Sequence, residues 1–238
     1  MNTAFEGLKQ ILDRIEARCH QAGRDPADVQ LVMVSKTVPV ERLQVFLNNP
    51  YQQPCIFGEN KAQELKSKAL ELRHSQAAPR WHFIGHLQSN KIKDVLPHIE
   101  LLHALDRLSL AQKLQDKLAA EGRQLDVLIQ VNAAREDTKS GVLPEDALEL
   151  LQRINEMPQL VVQGFMTIGA HSPDPQQIKD SFQRLADIRE QARSCTSLRP
   201  ENQQLKHLSM GMSGDFEWAI DAGATLVRVG SAIFGTRA

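Results

Sequence analysis

The feature that most constrains the fold is a regular alternation of short apolar segments with amphipathic helical patterns. Eight segments have the length and apolar content of strands that are covered on both faces. They lie at 29–35, 55–57, 81–84, 99–102, 127–131, 160–165, 205–208 and 225–229. Strict alternation indicates parallel strands joined by right-handed helical crossovers. Eight such units in 238 residues favour a closed (β/α)8 barrel, a fold of typically about 250 residues.

The helical patterns support the same architecture. Apolar residues recur at steps of three and four in the segment before the first predicted strand, and Gly23 follows as a stop. Similar patterns lie between the strands, and no linker or repeat interrupts them. A doubly wound open sheet is the alternative, but it would carry GxGxxG after its first strand, and the sequence has none there. We therefore predict one α/β barrel domain over residues 1–238.

Composition excludes several classes of protein. Hydrophobic residues are 42% and mean hydropathy is −0.34, so there is enough apolar material for a sizeable core. The 28 basic and 29 acidic residues give a net charge of −1, which argues against a nucleic-acid or membrane-surface partner. The charged N-terminal segment does not resemble a signal peptide, and Cys19, Cys55 and Cys195 have no CxxC spacing. We expect a cytoplasmic protein with reduced cysteines.

Lys36 is the first candidate for chemistry, because active sites of such barrels lie where the strands end. It follows the most apolar strand, and if Val32 and Val34 point into the barrel, so does Lys36. A desolvated lysine can lose its proton, and its neutral amine can form a Schiff base with a carbonyl compound. The alternative is that Lys36 extends into solvent or pairs with Glu59.

The ends of the last two predicted strands favour a phosphate site. Barrels of this kind frequently bind phosphate on the loops after strands 7 and 8. Strand 7 leads into MGMSGD, where Ser213 can cap the next helix, and strand 8 leads into VGSAIFG, where Gly230 and Ser231 can present backbone amides. The alternative is that Ser213 is only an N-cap, with Asp215 and Glu217 in the first helical turn. Together with Lys36, the two loops indicate a phosphorylated carbonyl ligand.

Arg228 stands inside an otherwise apolar strand, on the same face as Gly230. A buried guanidinium needs a partner, either in an internal salt bridge or on the ring of a bound ligand. His82 and His86 flank a strand end and are expected to be core or loop residues, so no metal site is predicted. The remaining basic loop residues are interpreted as solvated surface: Lys61, Lys91, Lys93 and Lys139.

These residues together resemble the YggS/PROSC family of pyridoxal 5′-phosphate (PLP) homeostasis proteins. The matching stretches run through almost the whole chain in the family's order. They are VSKT with Lys36, FGEN ending at Asn60, WHFIGHLQSNK (81–91), TKSG (138–141), LSMGMSGD (208–215) and VRVGSAIFGTR (227–237). The resemblance implies a barrel similar to the alanine racemase N-terminal domain.

The resemblance also implies a role for each site residue. Lys36 would carry PLP as an aldimine, and Asn60 would lie beside the cofactor. The phosphate would be held by Ser213, Gly230 and Ser231, and Arg228 would face the pyridine nitrogen. One departure is Gly214, where many relatives have an acidic residue, and we expect it to alter the stiffness of the loop more than the identity of the ligand.

The function implied is PLP storage, delivery or buffering without established catalysis, with apo PLP enzymes as candidate recipients and a monomer or weak dimer as the assembly. One alternative is a racemase-like PLP enzyme, and another is a class I aldolase, which would be colourless where a PLP protein is yellow. Racemases use a tyrosine from a C-terminal domain, which we do not expect after Ala238. They also have a tyrosine where this chain has Val40, and Tyr51 is expected at the opposite end of the barrel from Lys36.

Overall fold

Eight parallel strands close into a barrel in chain order, as predicted. The structure is a computed structural model that describes residues 5–51, 55–75 and 77–235. The strands are β1 Gln30–Val34, β2 Ile56–Glu59, β3 Arg80–Phe83, β4 Leu101–Leu105, β5 Leu125–Gln130, β6 Leu160–Met166, β7 His207–Ser209 and β8 Leu226–Val229. The barrel closes where Gln30 pairs with Leu226 and Met33 with Val229.

Helices cover the outside of this barrel. They are α1 Glu6–Gln21, α2 Val40–Leu47, α3 Ala62–Leu72, α4 Ile92–Val95, α5 Leu108–Glu121, α6 Ala147–Asn155, α7 Pro175–Arg193, α8 Pro200–Gln203, α9 Phe216–Asp221 and α10 Ser231–Phe234. The short α8 was not predicted because its residues are polar. Its buried Asn202 accepts a hydrogen bond from the backbone N–H of Val162, at 2.8 Å, and so ties α8 to β6.

Several strand boundaries differ from the prediction by one to three residues, and two of these differences have a clear physical reason. The fourth strand was predicted to stop at residue 102, but β4 continues through His103, which is fully buried and hydrogen-bonded inside the barrel. The seventh strand was predicted to begin at Leu205, but Leu205 has a positive φ of 38° and β7 begins two residues later. A buried hydrogen-bonded histidine therefore extends β4, and a left-handed backbone conformation delays the start of β7.

The apolar core has two layers. A small cluster fills part of the barrel interior: Val32, Ile56, Leu101, Ala104, Leu128, Met166 and Leu226. A larger cluster lies between the strands and the helices. Because successive side chains of a strand point to opposite faces, alternate residues of every strand share the interior. The interior cluster therefore leaves positions near the strand ends for polar side chains.

α1 packs against α9 and α10, the helices that follow the predicted phosphate loops. Arg14 bonds Glu217 at 3.0 Å, and Arg18 forms an ion pair with Asp221 of α9. A Cβ at Gly7 would lie 2.5 Å from the carbonyl oxygen of Ala232, so the absence of a side chain at Gly7 allows α1 to approach α10 closely. Exposed ion pairs stabilise a protein by at most about 1 kcal/mol each, so apolar packing holds α1 in place.

No helix in the described ranges is long and apolar enough to cross a membrane. The three cysteines are free, with Cys19 buried and the other two half-buried. The residues of the quoted VRVGSAIFGTR stretch that follow Gly235 lie outside the described residues.

Candidate functional site

A cavity of about 360 Å³ lies at the carboxyl ends of the strands. Three of the predicted site residues line it: Lys36 after β1, Asn60 after β2 and Arg228 in β8. The other lining residues include Gln130, His86 and the 138–140 segment of the loop after β5. Such a volume is within the range of small-molecule sites, which are typically about 300–1,000 Å³. The structure therefore brings half of the predicted residues together around one cavity.

Lys36 lies in the turn after β1, and its side chain is half-buried against the cavity. Within the described ranges, no hydrogen bond or ion pair occupies its Nζ. The predicted alternative of pairing with Glu59 is wrong, because Glu59 Oε1 instead lies 2.7 Å from the Nζ of Lys68. The amine of Lys36 is thus available to a ligand.

The backbone of this turn is strained and held from both sides. Thr37 has a φ of 64°, a left-handed conformation that costs a β-branched residue about 1–2 kcal/mol. Its N–H donates to Glu64 Oε1, and the carbonyl of Ser35 accepts from Lys68 Nζ at 2.7 Å. Strain of this kind persists only where the surroundings enforce it.

Arg228 is 5% exposed and fixed by two hydrogen bonds. It donates to Ser209 Oγ at 2.7 Å and to the carbonyl oxygen of Thr167 at 2.8 Å. The predicted alternative of an internal salt bridge is not observed in the described part of the chain, although Asp215 is close enough to favour the charged form. Burial lowers the pKa of Arg228 to about 10, so the guanidinium is still protonated at neutral pH. Its other N–H donors remain for a ligand.

A chain of hydrogen bonds extends from Arg228 through the barrel interior. Ser209 Oγ lies 2.8 Å from His103 Nδ1, and His103 Nε2 lies 3.0 Å from His82 Nδ1. Burial lowers the pKa of His82 to about 3 and that of His103 well below its usual value, so both rings are neutral. Because Arg228 can only donate, one consistent arrangement has the Ser209 hydroxyl donate to His103, which then donates to His82.

The predicted phosphate residues lie beside the cavity but do not line it. Ser213 Oγ and Ser231 Oγ are 3.4 Å apart, on the loops after β7 and β8, and Gly230 precedes the first residue of α10. The first amides of a helix have no acceptor within it, so those of α10 can bind an anion. Met212, next to Ser213, does line the cavity.

The prediction that Ser213 caps the following helix is wrong. The N-cap of α9 is Asp215, whose side chain accepts a hydrogen bond from the N–H of Met212 at 2.5 Å and thereby tightens the loop. The Ser213 hydroxyl is instead beside Ser231. A Cβ at Gly214 would meet nothing within 4 Å, so an acidic side chain fits there without displacing a neighbour. The effect of Gly214 on the stiffness of the loop stays a prediction.

The prediction that Lys139 is a solvated surface residue is wrong. Its side chain is 14% exposed, lines the cavity, and donates to Glu136 Oε1 at 3.0 Å and to the carbonyl oxygen of Gly169. Sequence reasoning also missed Lys68, Glu64 and His103. Lys68 lies three residues after Leu65 and four before Leu72, which places it on the buried face of α3, so its spacing was an available signal.

The structure places His82, His86 and Tyr51 where the sequence predicts them. His82 is a core residue, and His86 is a loop residue at the cavity whose Nδ1 lies 3.2 Å from Asp106. Tyr51 contacts a different cavity with Val29, which precedes β1, so it lies at the opposite end of the barrel from Lys36. Among the described residues, no group of three potential metal ligands is present.

Comparisons with known proteins agree with this fold over most of the chain. The family model for the alanine racemase N-terminal domain matches residues 11–238. The pyridoxal phosphate homeostasis protein of Aquifex aeolicus (strain VF5) is 40% identical over 234 residues, which cover 98% of each chain.

Two solved structures are also similar. A crystal structure of an unknown protein from Bifidobacterium adolescentis is 35% identical, with a TM-score of 0.87, over 96% of this chain and 93% of that one. PipY of Synechococcus elongatus PCC7942, solved with PLP bound, is 29% identical, with a TM-score of 0.75, over 93% of this chain and 100% of that one.

Because its histidines are buried and neutral, the protein should become less stable to unfolding in acid. His82 has a pKa of about 3 in the folded protein, below the value of about 6.5 expected when unfolded, so acid protonates the unfolded state first. The free energy of unfolding of the parent should therefore fall between about pH 7 and pH 4.5, as measured by urea denaturation. In the His82→Asn variant this fall should be smaller by about 2–3 kcal/mol. The exposed His20→Asn variant is the control and should match the parent. If acid destabilised the His82 variant as much as the parent, His82 would not have a lowered pKa in the folded protein.

Proposed function

The chain belongs to the family of pyridoxal phosphate homeostasis proteins, built on the alanine racemase N-terminal domain, and from this premise we propose that it holds PLP as a Schiff base on Lys36. Its role would be to store, deliver or buffer the cofactor. The observation that carries the proposal is the convergence of Lys36, Asn60 and Arg228 on one cavity. That residues 1–238 form one PLP-binding domain is part of the same proposal.

The residues at this cavity fit PLP in their chemistry. Lys36 offers an amine without a partner, and Asn60 Oδ1 is a buried acceptor that no described residue satisfies. Buried polar atoms normally have hydrogen-bond partners, so an unsatisfied oxygen beside a cavity favours a polar ligand there. Arg228 adds a cation, and the paired hydroxyls of Ser213 and Ser231 lie at the edge of the site.

Each residue would act on a different part of the cofactor. PLP supplies an aldehyde, which a lysine amine converts to an imine with release of water. The turn after β1 holds the amine of Lys36 at the cavity. Arg228 would donate a hydrogen bond to the pyridine nitrogen, which leaves that nitrogen unprotonated and weakens the ring as an electron sink. Ser213, Ser231 and the amide of Gly230 would donate to the phosphate.

A carrier role is favoured because the chain lacks a tyrosine suited to racemisation. Racemisation needs one acid–base group on each face of the substrate, and Lys36 could supply one. Tyr51 lies at the other end of the barrel and cannot supply the second. The observation that favours the racemase-like alternative is His86, which lines the cavity and is oriented by Asp106 at 3.2 Å. Apo PLP enzymes as recipients and a cytoplasmic location are also part of the proposal.

The first prediction concerns the covalent linkage. Protein loaded with PLP should be yellow, and borohydride reduction should fix the cofactor to the peptide that contains Lys36, as identified by mass spectrometry. Lys36→Ala should lose the adduct because no other amine is held at that position. Lys139→Ala removes another lysine of the same cavity and should still give the Lys36 adduct. A reduced adduct on a different lysine would overturn the assignment.

The second prediction concerns the phosphate. Each hydrogen bond to a charged group stabilises by about 1.5–3 kcal/mol, so pyridoxal should bind at least about 100-fold more weakly than PLP in equilibrium titrations. The Ser213→Ala/Ser231→Ala double variant should narrow that ratio, whereas Ser194→Ala, at the exposed end of α7, should preserve it. Equal affinity of the parent protein for pyridoxal and PLP would reject the two loops as the phosphate site.

The third prediction separates the carrier from the racemase-like enzyme. The PLP-loaded protein, incubated in deuterium oxide with a panel of L- and D-amino acids, should show no inversion at an enzyme-like rate in chiral analysis. The reason is that Tyr51, the one tyrosine in the 238-residue sequence, lies at the opposite end of the barrel from Lys36. Rapid inversion of any amino acid by the parent protein, lost in both the Lys36→Ala and the His86→Ala variants, would establish the racemase-like enzyme.

A further inference from the structure

A buried cluster of charged residues lies directly behind Lys36, outside the cavity. Lys68 of α3 is 4% exposed, and its Nζ bonds three oxygens at 2.7 Å: the carbonyl of Ser35, Glu59 Oε1 and Glu64 Oε1. Removing charges from water is costly, and a buried lysine persists only where partners of this quality surround it. Replacing such a cluster with apolar residues is often neutral or stabilising, so stability alone is a weak reason for its presence.

The cluster fixes the backbone on both sides of Lys36. Before Lys36, the carbonyl of Ser35 accepts a hydrogen bond from Lys68. The Ser35 hydroxyl donates to Glu59 at 2.7 Å, and its backbone N–H donates to the carbonyl of Gly58 at 3.1 Å. After Lys36, the N–H of Thr37 is held by Glu64. The same Glu64 oxygen thus joins the strained residue of the turn to Lys68.

The turn itself would relax without these contacts. A further hydrogen bond closes it, from the N–H of Val38 to the carbonyl of Ser35 at 3.0 Å, and a turn with a positive φ at its third residue favours glycine there. The chain has Thr37 instead, at a φ of 64°. A less strained backbone is accessible to threonine and would point Lys36 in another direction.

We propose that Glu64, Lys68 and Glu59 are positioning residues that hold the Lys36 amine where it meets the aldehyde of PLP. This inference rests on the proposed function, because it assumes that Lys36 is the anchor. None of these three side chains lines the cavity, so the cluster acts through the backbone of the turn. Its removal should therefore impair formation of the covalent linkage and spare the non-covalent contacts of the same ligand.

Glu64 is the member to change, because Lys68 keeps Glu59 and the Ser35 carbonyl as partners when Glu64 is removed. Glu64→Ala deletes the acceptor of the Thr37 N–H. Glu64→Gln keeps an oxygen that can accept from both Thr37 and Lys68, and so is the conservative rescue. The matched control is Lys66→Met on the same helix, which removes an ion pair with Asp94 at 2.8 Å and is not in contact with the turn.

Two probes separate positioning from general damage. PLP forms the linkage, whereas 4′-deoxypyridoxine 5′-phosphate has a methyl group in place of the aldehyde and binds only non-covalently. In the Glu64→Ala variant, PLP should bind at least about tenfold more weakly, because misplacement of a reacting group is costly. The visible absorption band of lysine-linked PLP should also appear more slowly. Binding of the deoxy analogue should change by less than about twofold, because the cavity is intact. Glu64→Gln should recover most of the loss, and Lys66→Met should match the parent.

The outcomes are distinguishable. Unchanged PLP binding in Glu64→Ala, or equal weakening of both probes, would overturn the positioning role while leaving Lys36 as the anchor. If the parent protein formed no linkage at Lys36, the proposed function would fail and this inference with it. Thermal unfolding of each variant verifies that the fold is retained, and Lys68→Met, if it folds, should show the same selective loss for PLP.

Discussion

Closure of the barrel is the constraint on which the rest of the structure depends. Once eight parallel strands close, alternate side chains from every strand must share one interior, which has room for layers of side chains and no more. This chain fills part of that interior with a small apolar cluster and part with hydrogen-bonded polar groups. The polar part includes Arg228, at the end where the strands meet the cavity, and this division decides where a ligand can bind.

The polar part of the interior has a cost that the structure meets with hydrogen bonds. Arg228 has no carboxylate at salt-bridge distance among the described residues, yet two oxygens hold its guanidinium, and Ser209, His103 and His82 continue the chain of contacts. Neutral histidines are the inexpensive choice in such a place, because a second buried cation would repel Arg228. As a result Arg228 is held as a fixed cation at the cavity.

Much of this arrangement was predictable because it follows from local periodicity and barrel geometry. Alternation of strands and helices predicted the fold, and position at a strand end predicted Lys36. Arg228 stood out as a charge within an apolar strand, and Asn60 was implied by the family resemblance. Features that depend on tertiary contacts were not predictable in this way. The prediction that Ser213 caps α9 failed because the helix begins two residues later, after Asp215. Lys139 is half-buried because its amine bonds Glu136 and the carbonyl of Gly169 in the loop after β6. Lys68 carried a usable signal in its helical spacing, because it shares the buried face of α3 with Leu65 and Leu72.

The central claim is that one cavity holds PLP between Lys36 and Arg228, and a crystal structure of the protein with PLP tests it most directly. The account predicts continuous electron density from Lys36 Nζ to the cofactor. It also predicts a pyridine nitrogen within about 3 Å of the Arg228 guanidinium and a phosphate on the loops of Ser213 and Ser231. Density for PLP on another lysine, or a ring whose nitrogen points away from Arg228, would contradict it.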